Sequence, residues 1–558
     1  MQPVRERVAD AVRRGFEQAQ AAGALPAFEI PEIPVERPRQ GGHGDYASPA
    51  AMQAARLARM APVRIAEAVR AHLPREPFIG AVEVAPPGFL NFTLSDAWLA
   101  SQVETVLAEG ERFGRTNMGQ GVRVQVEYGS ANPTGPLHVG FARNVVLGDA
   151  LANLLAEVGY DVQREYYVND AGTQMRQFQE SLYARYAQAL GLDVPVPETG
   201  YQGWYLAQWG REIAEAEGRR FLDLPYEEAL AEIGEYGLQN KVLPSVRADV
   251  EAMGIRYDRW FSERDLYRDG TFDRAMEVLR QGGYLVEREG AVWFEATKLG
   301  ADKDEVVIRS SGLPGYFASD IAYHYDKFVN RGFDLVVDVW GADHQGHLPR
   351  MKAMMEGLGL DPDRLRIVIY QLVTLKRGGE VVRLSKRTGD MITLRELIDE
   401  VSPDAIRYFL VSRSPDSQMD FDLELAVKRS EENPVFYVQY AHARIASVLR
   451  LAQASSLDYD QADLSLLGHP SEMALIRQML QFPEVLVDAA ADFSPHRLAY
   501  YAYDLARAFH AFYRDCRIVS SLAEDAEVTK ARLRLSLAAK VALARALEVM
   551  GMSAPERM

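Results

Sequence analysis

Apolar positions change rhythm three times along this chain, and each rhythm predicts a different kind of element. Up to about residue 110, helical spacing such as that from Pro62 to Leu73 gives way to alternation in AVEVAPPGFLNFTL, where Pro86, Pro87 and Gly88 mark a turn. This predicts a small α+β module over 1–115. A Gly-containing stretch then leads into VRVQVEY, whose Val122, Val124 and Val126 fall on one face of a predicted strand. From Arg143, the spacing of Leu147, Leu151, Leu154, Leu155 and Val158 is helical, and Asp161 to Val168 reads as a second strand. A strand-helix-strand unit of this kind predicts a doubly wound parallel sheet of Rossmann type, placed over 116–400. A mostly helical stretch over 173–253 interrupts it, before LVVDVWG, a helix near 348–358 and LRIVIYQL resume the α/β pattern. Past a connecting segment at 401–433, residues 434–558 carry almost only helical spacing, with a polar loop from Ser455 to Pro470, and predict an all-α bundle.

With 558 residues the chain exceeds what one hydrophobic core holds, in keeping with several domains. No apolar run approaches the roughly 20 residues that span a bilayer, and MQPVRERVADAVRR lacks an apolar signal core, so a cytoplasmic protein is expected. The single cysteine, Cys516, forms no internal disulfide, and together with ten histidines it makes no zinc-spaced cluster. A formal net charge of −17 does not favour nucleic-acid binding by the whole surface, so any RNA contact must use local basic patches.

The chemistry concentrates in VEYGSANPTGPLHVGFARN, from Val126 to Asn144, where a strand passes through a Pro/Gly loop into a helix. Such a loop lies beyond the carboxyl end of a parallel strand, and the helix that follows offers free N–H groups to phosphate. Gly135 and Gly140 permit close backbone approach. NPTGPLHVG followed by an Arg-containing helix resembles the His-Ile-Gly-His region of class I aminoacyl-tRNA synthetases, in the arginyl branch, and REYYVNDAG at Arg164 to Gly172 is similar to the same family. The resemblance implies that His138 hydrogen-bonds the ATP phosphates in the transition state and that Gly140 leaves room for adenine. Phe141 departs from the pattern, standing where the second histidine would be and unable to donate a hydrogen bond.

VVRLSKRTGDMITLREL, from Val381 to Leu397, resembles the Lys-Met-Ser-Lys-Ser loop. Lys386 matches its second lysine, which stabilises charge on the departing pyrophosphate, Arg383 stands at the first lysine, and Ser385 joins the ATP site. No protein nucleophile is needed, because the substrate carboxylate attacks the α-phosphate directly. Magnesium is expected with ATP, though no dedicated protein cage stands out.

Telling arginine from lysine requires carboxylates that accept paired bonds from a planar guanidinium. The resemblance nominates Glu127, at the end of the strand before the His138 loop, and Asp320, in GYFASDIAYHYDK, with Tyr316 adding a hydroxyl and Asn132 holding the substrate α-amino or carboxylate group. VWGADHQGH resembles the family's Gly-Ala-Asp-His segment, placing Asp343 at ATP and His344 at arginine. Metal binding by His344 and His347 is the weaker alternative, since nothing completes the ligand set. In the C-terminal region, PVFYVQYAHARIASVLR and the closing GMSAPERM resemble the arginyl anticodon-binding domain. Tyr437, Gln439, Tyr440 and Arg444 suit unstacked anticodon bases, and Arg532, Arg534 and Lys540 suit phosphates. The N-terminal module would contact the tRNA elbow.

The resemblance thus spans nearly the whole chain and implies ATP-dependent activation of L-arginine, its transfer to the 3′ end of tRNA-Arg, activation that waits for tRNA, and a monomer. Three other readings compete. A cysteinyl synthetase is opposed by the lack of zinc-spaced cysteines, and a generic nucleotide-dependent enzyme leaves the helical tail unexplained. A catalytically inactive relative that binds RNA has only Phe141 in its favour.

Overall fold

The computed structural model describes residues 2–38, 42–382 and 392–558. Arg383, Ser385 and Lys386 lie outside the described residues.

The catalytic core is a five-stranded sheet, β1 (Arg123–Glu127), β2 (Asp161–Val168), β3 (Arg259–Ser262), β4 (Leu335–Gly341) and β5 (Leu365–Tyr370), in the order β5-β4-β1-β2-β3 with every pairing parallel. The chain runs from β1 outward to β2 and β3, then returns to lay β4 on the other side of β1. The strand order therefore reverses at β1/β4, which puts the ligand crevice of such a sheet beyond the carboxyl ends of these two strands. β1 is central and covered on both faces, so Gln125 is buried along with Val124 and Val126, whereas Val122 precedes the strand and is exposed.

Helix α1 (Ala142–Glu157) joins β1 to β2 and is buried on all sides; Leu147, Leu151, Leu154, Leu155 and Val158 are all interior. With the preceding turn, 139–157 is long and apolar enough to cross a bilayer, against the expectation that no run comes near that length. Its apolar character has a different cause: it packs between the sheet and the helical domains, and most of it is buried.

The stretch between β2 and β3 is helical, from Gly172–Ala189 through Leu243–Ala252. Between β3 and β4 lies a feature that the sequence pattern did not predict, an antiparallel sheet of three four-residue strands (Leu285–Arg288, Ala291–Phe294, Glu305–Ile308). Strands this short give too few alternations to register as a period. Helix α2 (Tyr316–Tyr325) follows and runs into a π-turn over Asp326–Asn330. On the N-terminal side, Ile79–Ala85 and Phe89–Leu94 pair around the Pro86–Gly88 turn under helices Val4–Ala21 and Pro62–Ala71. The C-terminal bundle is built on α3 (Pro434–Ala454), α4 (His496–Asp515) and α5 (Ala526–Val549). Asn433 caps α3 by accepting from the Val435 N–H at 3.0 Å, with Pro434 in the first turn, where its missing N–H costs nothing.

Candidate active site

β1 ends at Glu127, and the loop after it is pinned from three sides. The Gly129 N–H donates to Asn144 Oδ1 at 2.5 Å, and Asn144 Nδ2 donates on to the Val339 carbonyl of β4, so one α1 side chain ties the loop to the switch-point strand. Gly129 has a φ of +83° and abuts Tyr166 and Tyr257, so a side chain would be excluded twice over. Ser130 donates to Glu127 Oε1 at 3.0 Å and accepts from the Tyr167 N–H. From the helical stretch, Tyr205 donates to the Thr134 carbonyl at 2.9 Å, and its ring fills the space a Cβ at Gly135 would need.

His138 sits just before α1, and its Nδ1 accepts from the Gly140 N–H at 2.9 Å, which leaves the proton of the neutral ring on Nε2. A Cβ at Gly140 would come within 2.5 Å of the His138 ring, so this glycine is also required by the imidazole beside it. Phe141 packs its ring 4.6 Å from that of His138. In place of a second donor, the fourth position supplies a wall.

The two motif regions meet. The Val139 N–H donates to the Ile392 carbonyl at 3.1 Å and the Leu394 N–H to the Leu137 carbonyl at 2.8 Å, so the described C-terminal part of the second motif lies against the His138 loop. The buried Arg143 of α1 holds the approach to that motif by donating to the carbonyls of Gln371, Ser414 and Ser417.

α2 carries Tyr316 and Asp320 one turn apart on one face. Tyr316 is exposed, while Asp320 is partly enclosed, within electrostatic reach of Glu127, Glu263, His324 and Arg350. Among the described residues no hydrogen bond or ion pair reaches the Asp320 carboxylate. Desolvation, ahead of the opposing pull of His324, pushes its pKa up to about 7. Glu127 also titrates above the ordinary carboxylate range because it is desolvated, with the adjacent Lys327 working against that shift. The side-chain amides of Asn132 and Asn169 lie 3.3 Å apart. In the amide orientation that satisfies its neighbours, Asn169 donates to Glu263, which in turn accepts from Ser319 beside Asp320. Asn132 is thereby linked through Asn169, Glu263 and Ser319 to the surroundings of Asp320, which lies within electrostatic reach of Glu127. Asp343 and His344 follow β4, both well exposed and 3.5 Å apart, with His344 and His347 against Trp340. Among the described residues no three His, Cys, Asp or Glu side chains converge as a metal site.

Sequence motifs did not point to Lys327, Asp338, His324 or Glu263, all of them buried beneath or beside this crevice. GYFASDIAYHYDK does contain His324 and Lys327, at four and seven residues past Asp320, but only the π-turn and the strand register show where they point.

On the helical bundle, Tyr437 and Tyr440 are partly exposed. Tyr437 packs 4.6 Å from His510 and 5.0 Å from Tyr503, and the Arg444 guanidinium lies 4.5 Å over Tyr440 and 4.8 Å over Tyr513. Four of the expected tRNA contacts are placed differently. Gln439 faces inward and donates to Asp404 and the Ser553 carbonyl, tying down the C-terminal tail. Arg532 pairs with the buried Glu472, and Arg534 with Glu104 and Asp460, so their guanidinium groups serve the packing of the bundle. Lys540 likewise pairs with Glu556.

Three family models cover the chain in order: "Arginyl tRNA synthetase N terminal domain" over residues 4–94, "tRNA synthetases class I (R), catalytic domain" over 102–195 and 237–430, and "DALR anticodon binding domain" over 438–558. An arginine–tRNA ligase from Dehalococcoides mccartyi is 48% identical over 99% of this chain and 98% of its own length. The chain belongs to the class I arginyl-tRNA synthetases. A Moorella thermoacetica arginine–tRNA ligase matches this synthetase at 48% identity over the full length of both chains. The solved arginyl-tRNA synthetase of Thermus thermophilus superposes with a TM-score of 0.77 at 25% identity, covering 99% of this chain and all of that one. The synthetase is an enzyme that joins arginine to tRNA at the expense of ATP, and with catalytic and anticodon-binding domains both present, the reading as an inactive relative is not favoured.

Proposed function

We propose that this synthetase seats the arginine guanidinium between Glu127 and Asp320, with Tyr316 and His344 closing the pocket and Asn132 holding the α-amino or carboxylate end. The observation that carries this reading is the Asp320 carboxylate, partly enclosed, desolvated and without a protein partner among the described residues. A desolvated carboxyl left unpaired by its own protein gains most from a ligand that brings a cation with paired N–H donors. ATP enters with its magnesium as substrate, its phosphates beside His138 and its nucleoside toward Gly140 and Asp343, with Ser385, Lys386 and Arg383 brought by the second motif. His138 Nε2–H supplies a donor to the phosphate oxygens as charge develops on them. The arginine carboxylate attacks the α-phosphorus, the bond to pyrophosphate breaks, and the adenylate then passes its acyl group to a hydroxyl of the tRNA terminal ribose, releasing AMP.

tRNA completes the site before activation begins, and its anticodon stacks on Tyr437, Tyr440 and Arg444, whose rings and guanidinium remain partly open; Gln439, Arg532 and Arg534 act through the bundle that presents this face. The enzyme acts as a monomer in the cytoplasm. Pyrophosphate exchange into ATP tests the reading, run with arginine, lysine or citrulline, with and without tRNA. Exchange with arginine alone, and only with tRNA present, is expected. Comparable exchange with citrulline would sink the carboxylate pocket, because citrulline lacks the charge.

A further inference from the structure

Three carboxylates stand in one row across the centre of the sheet. Asp338 of β4 is the register partner of Glu127 of β1, and Glu127 is the register partner of Glu165 of β2. Like charges directly opposite on adjacent strands repel, and here all three are shielded from water: Asp338 and Glu165 fully, and Glu127 to 12% exposure of its side chain. A row of this kind survives only if cations are built in beside it. α2 and its π-turn supply them. Arg331 takes Glu165, with Tyr323 donating to the same carboxylate. Lys327, with no exposed surface, donates to Glu127 Oε2 at 2.6 Å and to Asp338 Oδ1 at 2.9 Å, its ammonium 4.1 Å over the Tyr323 ring. His324 Nε2 lies 2.9 Å from Asp338 Oδ2, and its Nδ1 meets the Asp320 carbonyl. A bonded chain thus runs from the Asp320 backbone carbonyl through His324, Asp338 and Lys327 to the Glu127 carboxylate, and leaves the Asp320 carboxylate outside it. The extra backbone residue of a π-turn often marks a functional position, and here it rotates Lys327 inward under β1.

We infer that Lys327 is the positioning residue of the arginine pocket: its ammonium fixes the Glu127 carboxylate by Oε2 and turns the Oε1 edge, braced by Ser130, toward the substrate. The inference rests on the reading of Glu127 as an arginine ligand. It also explains why the enclosed site carries an unpaired acid at only one of its two acidic positions. Glu127 is anchored beforehand and Asp320 awaits the ligand, so one wall of the pocket is rigid before arginine arrives.

The test compares Lys327→Met, Lys327→Met/Asp338→Asn and Glu127→Gln by tRNA-supported pyrophosphate exchange and thermal unfolding. Lys327→Met leaves two facing carboxylates and is expected to unfold at lower temperature. The double variant removes one of them and should recover most of that loss. If Lys327 only balanced charge, the double variant would also recover arginine binding. As a positioning residue, it leaves KM for arginine raised at least about tenfold in both variants, with KM for ATP within about twofold of wild type. A folded variant at 327 with wild-type KM for arginine, or with KM for ATP raised in parallel, overturns the inference. Should the methionine variants not accumulate as folded protein, Lys327→Gln, which keeps a shorter donor without charge, is read by the same two constants. An unchanged KM for arginine in Glu127→Gln sinks the underlying reading of Glu127 instead, which separates the two failures.

Discussion

At the scale of single residues, the decisive feature is one carboxyl group held in the wrong state for water. Asp320 titrates near 7 against an ordinary value of 3.8, chiefly because it is desolvated. A carboxyl whose folded-state pKa is raised binds its proton more tightly in the native state, so its contribution to stability is lost as pH rises from about 4 through 7, the reverse of a salt-bridged acid. Asp320→Asn should therefore raise the unfolding temperature of the ligand-free enzyme at pH 8, relative to wild type, while raising KM for arginine by roughly 10²-fold; differential scanning calorimetry and steady-state exchange check the pair of effects. Gly140→Ala is expected to lower kcat more than it alters either KM, because the added methyl displaces the His138 ring, the proposed donor to phosphate. Glu127, His138, Gly140 and Asp320 could be proposed from the sequence because each sits in a contiguous motif with a chemical reason for its residue type. Lys327 and Asp338 could not, since their meeting with Glu127 depends on which strand lies beside β1, and that is a property of sheet order.

Elements explain both what the pattern predicted and what it missed. A helix covered on all sides, like α1, and a strand covered on both faces, like β1, still read correctly because their lengths differ and valines favour the strand. The three-stranded sheet between β3 and β4 escaped notice because each strand has only four residues. The π-turn after α2 has no pattern of its own, yet it aims Lys327. Arg143 shows how an element binds two motifs together: from α1 its guanidinium reaches the carbonyls on either side of the second motif's approach. Desolvation lowers its pKa to about 10, still well above physiological pH, so the group remains a cation. Arg143→Met leaves three carbonyls short of a donor and should cost about 2–4 kcal/mol in urea unfolding, with kcat for exchange reduced and KM for arginine little changed.

Across the whole molecule, the domains are cross-linked by buried arginines. Arg407, with no exposed surface, donates to Asp149 of α1, to the Met253 carbonyl at the end of the helical stretch and to the Met550 carbonyl after α5. Glu484 of the bundle accepts from Arg37, from the Tyr46 hydroxyl and from the Arg5 N–H, fastening the N-terminal module. Breaking such a pair from one side leaves a buried charge, so Arg407→Met should lose about 3–5 kcal/mol and Arg407→Met/Asp149→Asn distinctly less, as a double-mutant cycle in denaturant would show. The domain succession followed from changes of apolar rhythm, but these ties did not, because their partners lie more than a hundred residues apart. The account stands most directly on Asp320 as the seat of the guanidinium, and calorimetric titration of arginine into the enzyme at pH 7, in two buffers of different ionisation enthalpy, measures that. Release of protons on binding, lost together with most of the affinity in Asp320→Asn, is the predicted result. Binding without proton release, at an affinity unchanged in that variant, would contradict it.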